Sequence, residues 1–119
     1  MSGHNTIRRT VMLITLPEPV AAYFAADQND GDAVALCFTE NAVIIDERQT
    51  HAGRDAIRRW KAEATAKFSY TADPFAVSEE DGQTVVTAHV TGDFPTSPVD
   101  LRYAFVLEGE KIARLEITP

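Results

Sequence analysis

The apolar positions change period once along this chain. Up to Phe68 they recur mainly at helical spacing, and from Ser69 onward they alternate, so helices come first and strands after. Val20, Tyr23, Phe24 and Asp27 stand at i, i+3, i+4 and i+7 behind Pro17 and Pro19. Those prolines open a helix, because the first turn has amide protons with no partner to lose. It is expected to end near Asn29, Asp30 and Gly31. Asp32 is placed to cap a short second helix, Ala33 to Phe38, with Val34, Leu36 and Phe38 packed between layers. An apolar strand, Ala42 to Ile45, then runs into Asp46, Glu47 and a polar turn. Gly53 to Phe68 makes the third helix, with Asp55 offsetting the amide dipoles at its start and Ile57, Trp60, Ala64 and Phe68 along one side.

Ser69 to Ser78 has Pro74 in its middle, which removes a ladder donor and predicts an edge strand or a bulge. Glu79 to Gly82 is a hairpin turn by composition. In Gln83 to Phe94 the residues Val86, Ala88, Val90 and Phe94 alternate with Val85, Thr87, His89, Thr91 and Asp93. After a proline-flanked loop, Val99 to Leu107 alternates Leu101, Tyr103, Phe105 and Leu107 against Asp100, Arg102, Ala104 and Val106. Lys111 to Ile117 is the last strand. Three helices followed by a meander of antiparallel strands, with one early short strand pair, is an α+β pattern in which helices cover one sheet face. A strongly curved sheet wrapped on helices leaves a conical hollow.

A chain of 119 residues makes one domain here, residues 16 to 119, preceded by a loose arm, residues 1 to 15, in which Thr10 to Thr15 is available as an added edge strand. The net charge of −7 argues against a phosphate backbone as partner. The basic cluster Arg54, Arg58, Arg59 and Lys61 is interrupted by Asp55 and Glu63 and reads as a solvated helix face. Cys37 has no second cysteine to pair with, and between Leu36 and Phe38 it reads as a buried thiol, as in a reducing compartment. The apolar run Val11 to Leu16 is too short for a membrane span or a usual signal peptide. Together these predict a cytoplasmic protein.

The order of a helix containing YFAA, then GD, then FTENAVIID and HAGRDAIRRW resembles the SnoaL-like branch of the nuclear transport factor 2-like superfamily. That superfamily also holds ketosteroid isomerases, polyketide cyclases and limonene epoxide hydrolases. The likeness spans Leu16 to Thr118 and closes with FVLEGEKIARLEI. It implies the α+β cone, a sheet wrapped around three N-terminal helices, and pairing into homodimers through the outer sheet face. No cofactor is expected, and with no two histidines at ligand spacing and the acids dispersed, no metal either. The likeness does not fix a reaction, because the superfamily keeps its architecture while changing its chemistry.

Asp46 is the first candidate for chemistry. A carboxylate at a strand end facing an apolar helix is short of water, which raises its pKa and makes it a usable base; the other reading is a solvated turn acid beside Glu47. The resemblance adds that a ketosteroid isomerase carries its base at the end of this strand, eight residues after a phenylalanine, as Asp46 follows Phe38. The isomerase's tyrosine donor falls opposite either Tyr23 or Phe24. Its second donor, an aspartate on a late strand, is not matched: counting from the last turn puts that position on Arg102 or Leu101, with Asp100 displaced by one or two residues, which counts against steroid isomerisation. His51 is a proton shuttle or a plain turn histidine, and His89 sits on a polar row facing outward or toward a partner subunit. Phe24, Trp60, Phe94 and Phe105 are expected as walls, with Arg102, Tyr103 and Glu116 as polar groups on the sheet or cross-strand partners. The function these features predict is binding of a small hydrophobic carbonyl or polyketide-like molecule, with cofactor-independent isomerase, cyclase or hydrolase chemistry by Asp46, His51 and Tyr23. The alternative is a non-catalytic ligand-binding or dimerisation module.

Overall fold

The computed structural model describes residues 14–27 and 31–119. The edge strand expected at Thr10 to Thr15 lies outside them apart from Ile14 and Thr15, which are not in a strand. Pro17 precedes α1 (Glu18–Ala26) and Pro19 sits in its first turn. The apolar stripe of α1 is the expected one, since Val20, Tyr23 and Phe24 are buried. A short α2 (Gly31–Ala35) packs so closely on the third helix that a Cβ at Gly31 would lie 2.9 Å from the Arg58 carbonyl oxygen.

The second helix stops earlier than its sequence suggests. Residues 36 and 37 form a turn and β1 (Phe38–Asp46) begins at once. Leu36 therefore lies on the turn and is 58% exposed, a correction to its expected place between layers. Cys37 is half-buried, its Sγ directed at the Ala33 carbonyl 3.6 Å away, and burial pushes its thiol up, away from thiolate. A two-residue turn joins β1 to β2 (Gln49–Ala52), and Gly53, with a φ of +88°, opens α3 (Arg54–Lys67). There follow β3 (Tyr70–Glu80), β4 (Gln83–Gly92), β5 (Val99–Glu108) and β6 (Lys111–Thr118).

The six strands form one curved sheet in the order β2-β1-β6-β5-β4-β3. All neighbours run antiparallel except β1 and β6, which are parallel. Pro74 fulfils both halves of its expectation: β3 is an edge strand, and its register slips between Pro74 and Ala76, leaving Phe75 half exposed on the bulge. A second irregularity, between Phe38 and Val43 of β1, is filled from α3. Arg54 donates from Nε (3.0 Å) and Nη2 (2.7 Å) to the Phe38 carbonyl oxygen, and the Gly53 amide donates to the Ala42 oxygen at 2.8 Å.

The concave face carries the core. Ala42 and Ile44 on β1, Leu115 and Ile117 on β6, Tyr103 and Phe105 on β5, and Val86, Ala88 and Val90 on β4 are all buried against Val20, Tyr23, Phe24 and Ile57 of the helices. Full burial of side chains such as Phe105, Ile44 and Leu115 is worth roughly 1.5–3 kcal/mol each before the entropy of ordering them. Among the described residues no helix is long and apolar enough to cross a membrane.

Candidate functional site

Alternation along β1 decides where Asp46 points. It follows Ala42 and Ile44 at intervals of two, both fully buried, so its side chain leaves the strand on the concave face. His51 stands opposite Ile44 in the ladder and therefore shares that face. The Glu47 and Arg48 pair that turns the chain has φ of 52° and 65°, both left-handed, so the hairpin is of the primed kind without the usual glycine. From α3, Trp60 donates its indole Nε1–H to Asp46 Oδ2 at 3.0 Å. The His51 ring lies 6.3 Å from the indole, tilted by 46°.

This setting raises the Asp46 carboxyl above its ordinary range. Loss of water is the largest cause; the Trp60 hydrogen bond opposes it, the Glu47 charge adds to it, and His51 and the Glu47 amide oppose it. Asp46 is half-buried, so some contact with solvent remains. A base that has lost part of its hydration but keeps a route for protons is what abstraction from carbon requires.

Three phenols share the interior with it. Tyr23 (2% exposed) and Tyr103 (4%) have ring centroids 6.3 Å apart; Phe24 packs edge-on to both, and Phe105 is edge-on to Tyr23 and stacked on Tyr103. Burial pushes the Tyr23 phenol well up, and the nearby Asp27, Tyr103, Tyr70 and Asp46 push the same way. Tyr103 is raised by burial and then by Asp27, Tyr70 and Asp46, so the same groups surround both hydroxyls. Neither hydroxyl has a hydrogen-bond partner among the described residues. Tyr70 is raised by burial and by Asp27, with Lys61 pulling back.

Lys61 is the residue that the sequence reading placed wrongly. Assigned to a solvated face, its side chain is 1% exposed, because Ile57, Trp60 and Lys61 fall at i, i+3 and i+4 on the buried side of α3. Its Nζ donates to Asp27 Oδ1 at 2.6 Å and to the Tyr70 hydroxyl at 3.0 Å. Burial alone would lower the ammonium's pKa; the bonds to Asp27 and Tyr70 outweigh it, so Lys61 stays cationic. Arg54, from the same expected solvated cluster, is turned inward to Phe38. Spacing was the available signal: a lysine one position after the tryptophan of an apolar stripe lies on that stripe.

The structure thus brings Asp46, His51, Tyr23, Phe24, Trp60, Tyr103 and Phe105 to the concave side. Tyr23 and Phe24 are both buried on that side, their rings 5.1 Å apart. Arg102 does not join them. It lies between inward-facing Leu101 and Tyr103, so alternation sends it outward, where it is half exposed and pairs with Glu80 at 3.3 Å. Glu116 is on that outer side too, paired with Arg114. Phe94 is half-buried beyond the C-terminal end of α3, with its ring 6.2 Å from Phe68, two helical turns from Trp60. His89 faces outward and bonds Asp100 at 2.7 Å. A separate surface depression of about 480 Å³ lies at the start of α3, and the guanidinium groups of Arg54 and Arg58 beside it are already engaged.

Comparison with known proteins agrees with this architecture. The SnoaL-like domain profile matches residues 20–115. A crystal structure of a candidate polyketide cyclase from Sinorhizobium meliloti is 43% identical, covering 87% of this chain and 95% of that one with a TM-score of 0.82. A protein from Catenulispora acidiphila with a ketosteroid isomerase-like fold, solved in complex with trimethylamine, is 21% identical over 88% of this chain and 87% of that one, with a TM-score of 0.78. A cystatin-fold protein from Novosphingobium aromaticivorans is 22% identical over 89% of this chain and 99% of that one, with a TM-score of 0.71. The curated proteins contain no match.

Proposed function

The chain belongs to the SnoaL-like domain family, and we propose that it binds a small hydrophobic carbonyl or polyketide-like molecule on the concave face and uses Asp46 as general base upon it. One observation carries this reading. Asp46 is partly withdrawn from water on the side where two buried phenols, Tyr23 and Tyr103, have hydroxyls with no acceptor among the described residues. The resemblance to a candidate polyketide cyclase supports the substrate class.

In the reaction, Asp46 takes a proton from the carbon next to a carbonyl; the electron pair of that C–H bond forms the enolate C=C bond and the carbonyl π pair moves onto the oxygen. The Tyr23 and Tyr103 hydroxyls donate to that oxygen as its charge develops, an arrangement worth most in a site poor in water. Return of the proton from Asp46 to a different carbon isomerises the substrate; attack of the enolate on a second carbonyl cyclises it, and the Asp46 proton goes to the new alkoxide. Trp60 keeps the carboxylate oriented through Oδ2, and His51, on the same face, is the polar group beside it. Phe24 and Phe105 form the apolar wall. The homodimer implied by the family is part of the proposal, with the outward row Val85, Thr87, His89 and Thr91 meeting a second copy; a monomer by light scattering at micromolar concentration counts against it.

The test is carbon-bound deuterium incorporation from heavy water into a panel of enolisable cyclic ketones, followed by mass spectrometry. Asp46→Asn is expected to lower the catalysed exchange by about two or more powers of ten. Retained affinity with no catalysed exchange in either protein would identify a binding module instead.

A further inference from the structure

Proton abstraction by Asp46 leaves the Lys61, Asp27 and Tyr70 group unused. An ammonium group carries three donors and no acceptor. Lys61 gives one to Asp27 Oδ1 and one to the Tyr70 oxygen, so the Tyr70 oxygen is an acceptor in that bond and its own O–H remains to be donated. No acceptor for it exists among the described residues, and the same holds for Tyr23 and Tyr103. A buried donor without a partner costs about 1–3 kcal/mol; Tyr23 and Tyr103 are two such donors, and the half-buried Tyr70 hydroxyl joins them, which points to an acceptor atom supplied from outside. Asp27 is already neutralised by Lys61 across 2.6 Å, with both side chains almost fully buried, so the face that the pair turns to Tyr70 is the cationic one.

We propose that Tyr70, with Lys61 behind it as a positioning residue, is a donor end of the site that takes an enol or phenol oxygen of the ligand as its anion. This rests on the concave face being a ligand site and narrows the ligand to molecules with an acidic oxygen. Charge balance favours it: the proton that the ligand loses goes to Asp46, so one negative charge is exchanged for another and two anions never face each other. Polarisation of the Tyr70 hydroxyl by Lys61 makes its hydrogen bond to an anion stronger than that of an isolated phenol.

The probe is 4-nitrophenol, whose anion absorbs apart from its neutral form, titrated with protein at a pH below the free compound's pKa. Wild-type protein and Asp46→Asn are expected to bind it as the phenolate, the proton passing to Asp46 in the first and to buffer in the second. Tyr70→Phe should weaken phenolate binding by about tenfold or more, as should Lys61→Met combined with Asp27→Leu, while binding of neutral 4-nitroanisole is unchanged. The double variant is used because Lys61→Met alone would strand a buried carboxylate, whereas replacing both partners is tolerated far better. An unchanged spectrum with wild-type protein, or full phenolate binding by Tyr70→Phe and the double variant, overturns the proposal. Phenolate binding without any dependence of deuterium exchange on Asp46 supports the donor end while removing the base; exchange that needs Asp46 without phenolate binding does the reverse.

Discussion

Replacing Glu47 and Arg48 by Asn and Gly should make the protein more stable, because the chain contains its own control. Two of its hairpins turn through two residues with positive φ. The β3–β4 turn uses Asp81 and Gly82 (51° and 79°), a favoured pair, whereas the β1–β2 turn uses Glu47 and Arg48 (52° and 65°). An L-residue with a full side chain in that region costs about 1–2 kcal/mol, and asparagine or glycine relieves most of it. Glycine's greater freedom in the unfolded chain returns roughly 0.5–1 kcal/mol. The net expectation for the double replacement is about 1 kcal/mol, or a rise in Tm of roughly 3–5 °C for a chain of this length. Calorimetry measures it, and a Tm equal to or below that of the native sequence refutes the strain assigned to this turn. The two positions also separate by chemistry. The Glu47 charge helps raise Asp46, so Glu47→Asn should move the acid limb of the exchange profile to lower pH, whereas Arg48→Gly should leave it in place. Two long side chains held at positive φ beside the base, against an aspartate and a glycine in the opposite hairpin, is the pattern expected where a turn serves the site.

Asp46→Asn should also raise stability at neutral pH. With its folded pKa above the ordinary 3.8, Asp46 holds a proton in the folded state where the unfolded chain has released it, so native stability falls as pH climbs through that window and then levels off. The Asn variant's advantage in urea denaturation should therefore be absent well below pH 3.8 and fully present at pH 7; equal stability at both pH values contradicts the raised pKa. Arg54→Ala should cost about 1–3 kcal/mol by urea titration, because it strips two donors from the Phe38 carbonyl, and Arg54→Lys should recover only part, since an ammonium cannot reproduce the fork. In Gly92→Ala the new Cβ would collide with the Ser69 oxygen and sit 2.7 Å from the Tyr70 Cβ, so a loss of about 1–3 kcal/mol and weaker phenolate binding are expected together.

What could be read ahead of the coordinates was what periodicity controls. The stripe of α1, the edge position and bulge of Pro74, and the inward phase of Tyr103 and Phe105 all follow from counting residues in threes, fours or twos. Asp46 stands out in the sequence as an acid directly after four apolar residues at a strand end; its inward direction, two positions after Ile44, follows from the burial along β1. The failures share a different cause. Lys61 and Arg54 were assigned by charge to the solvent, but a long side chain can turn its head inward when a partner waits there: Asp27 for one, an unpaired carbonyl for the other. Those partners are 34 and 16 residues away in the chain, so no local pattern announces them. Arg102 was drawn into the site by counting back from the last turn, and alternation along its own strand overrules that count. The β1–β2 turn carries no glycine, so its tight geometry had no signature.

Consecutive residues of α3 show how the site is assembled. Trp60 reaches Asp46 on β1 and Lys61 reaches Tyr70 on β3, yet β1 and β3 are separated in the sheet by β6, β5 and β4. Four strand spacings on a flat sheet come to about 19 Å, a gap that two neighbouring side chains on one helix would bridge only near full extension, with hydrogen bonds of about 3 Å at each end. Curvature of the sheet brings its two flanks toward α3, and the register slips at Phe38–Val43, Pro74–Ala76 and Val106–Leu107 are the places where extra residues let strands bend. The base and the Tyr70 donor come from opposite flanks, so the distance between them is set by curvature and by no single contact. A substitution that straightens β3, such as deleting Phe75 to remove the bulge, should then impair phenolate binding and Asp46-dependent exchange together, although it touches neither Asp46 nor Lys61.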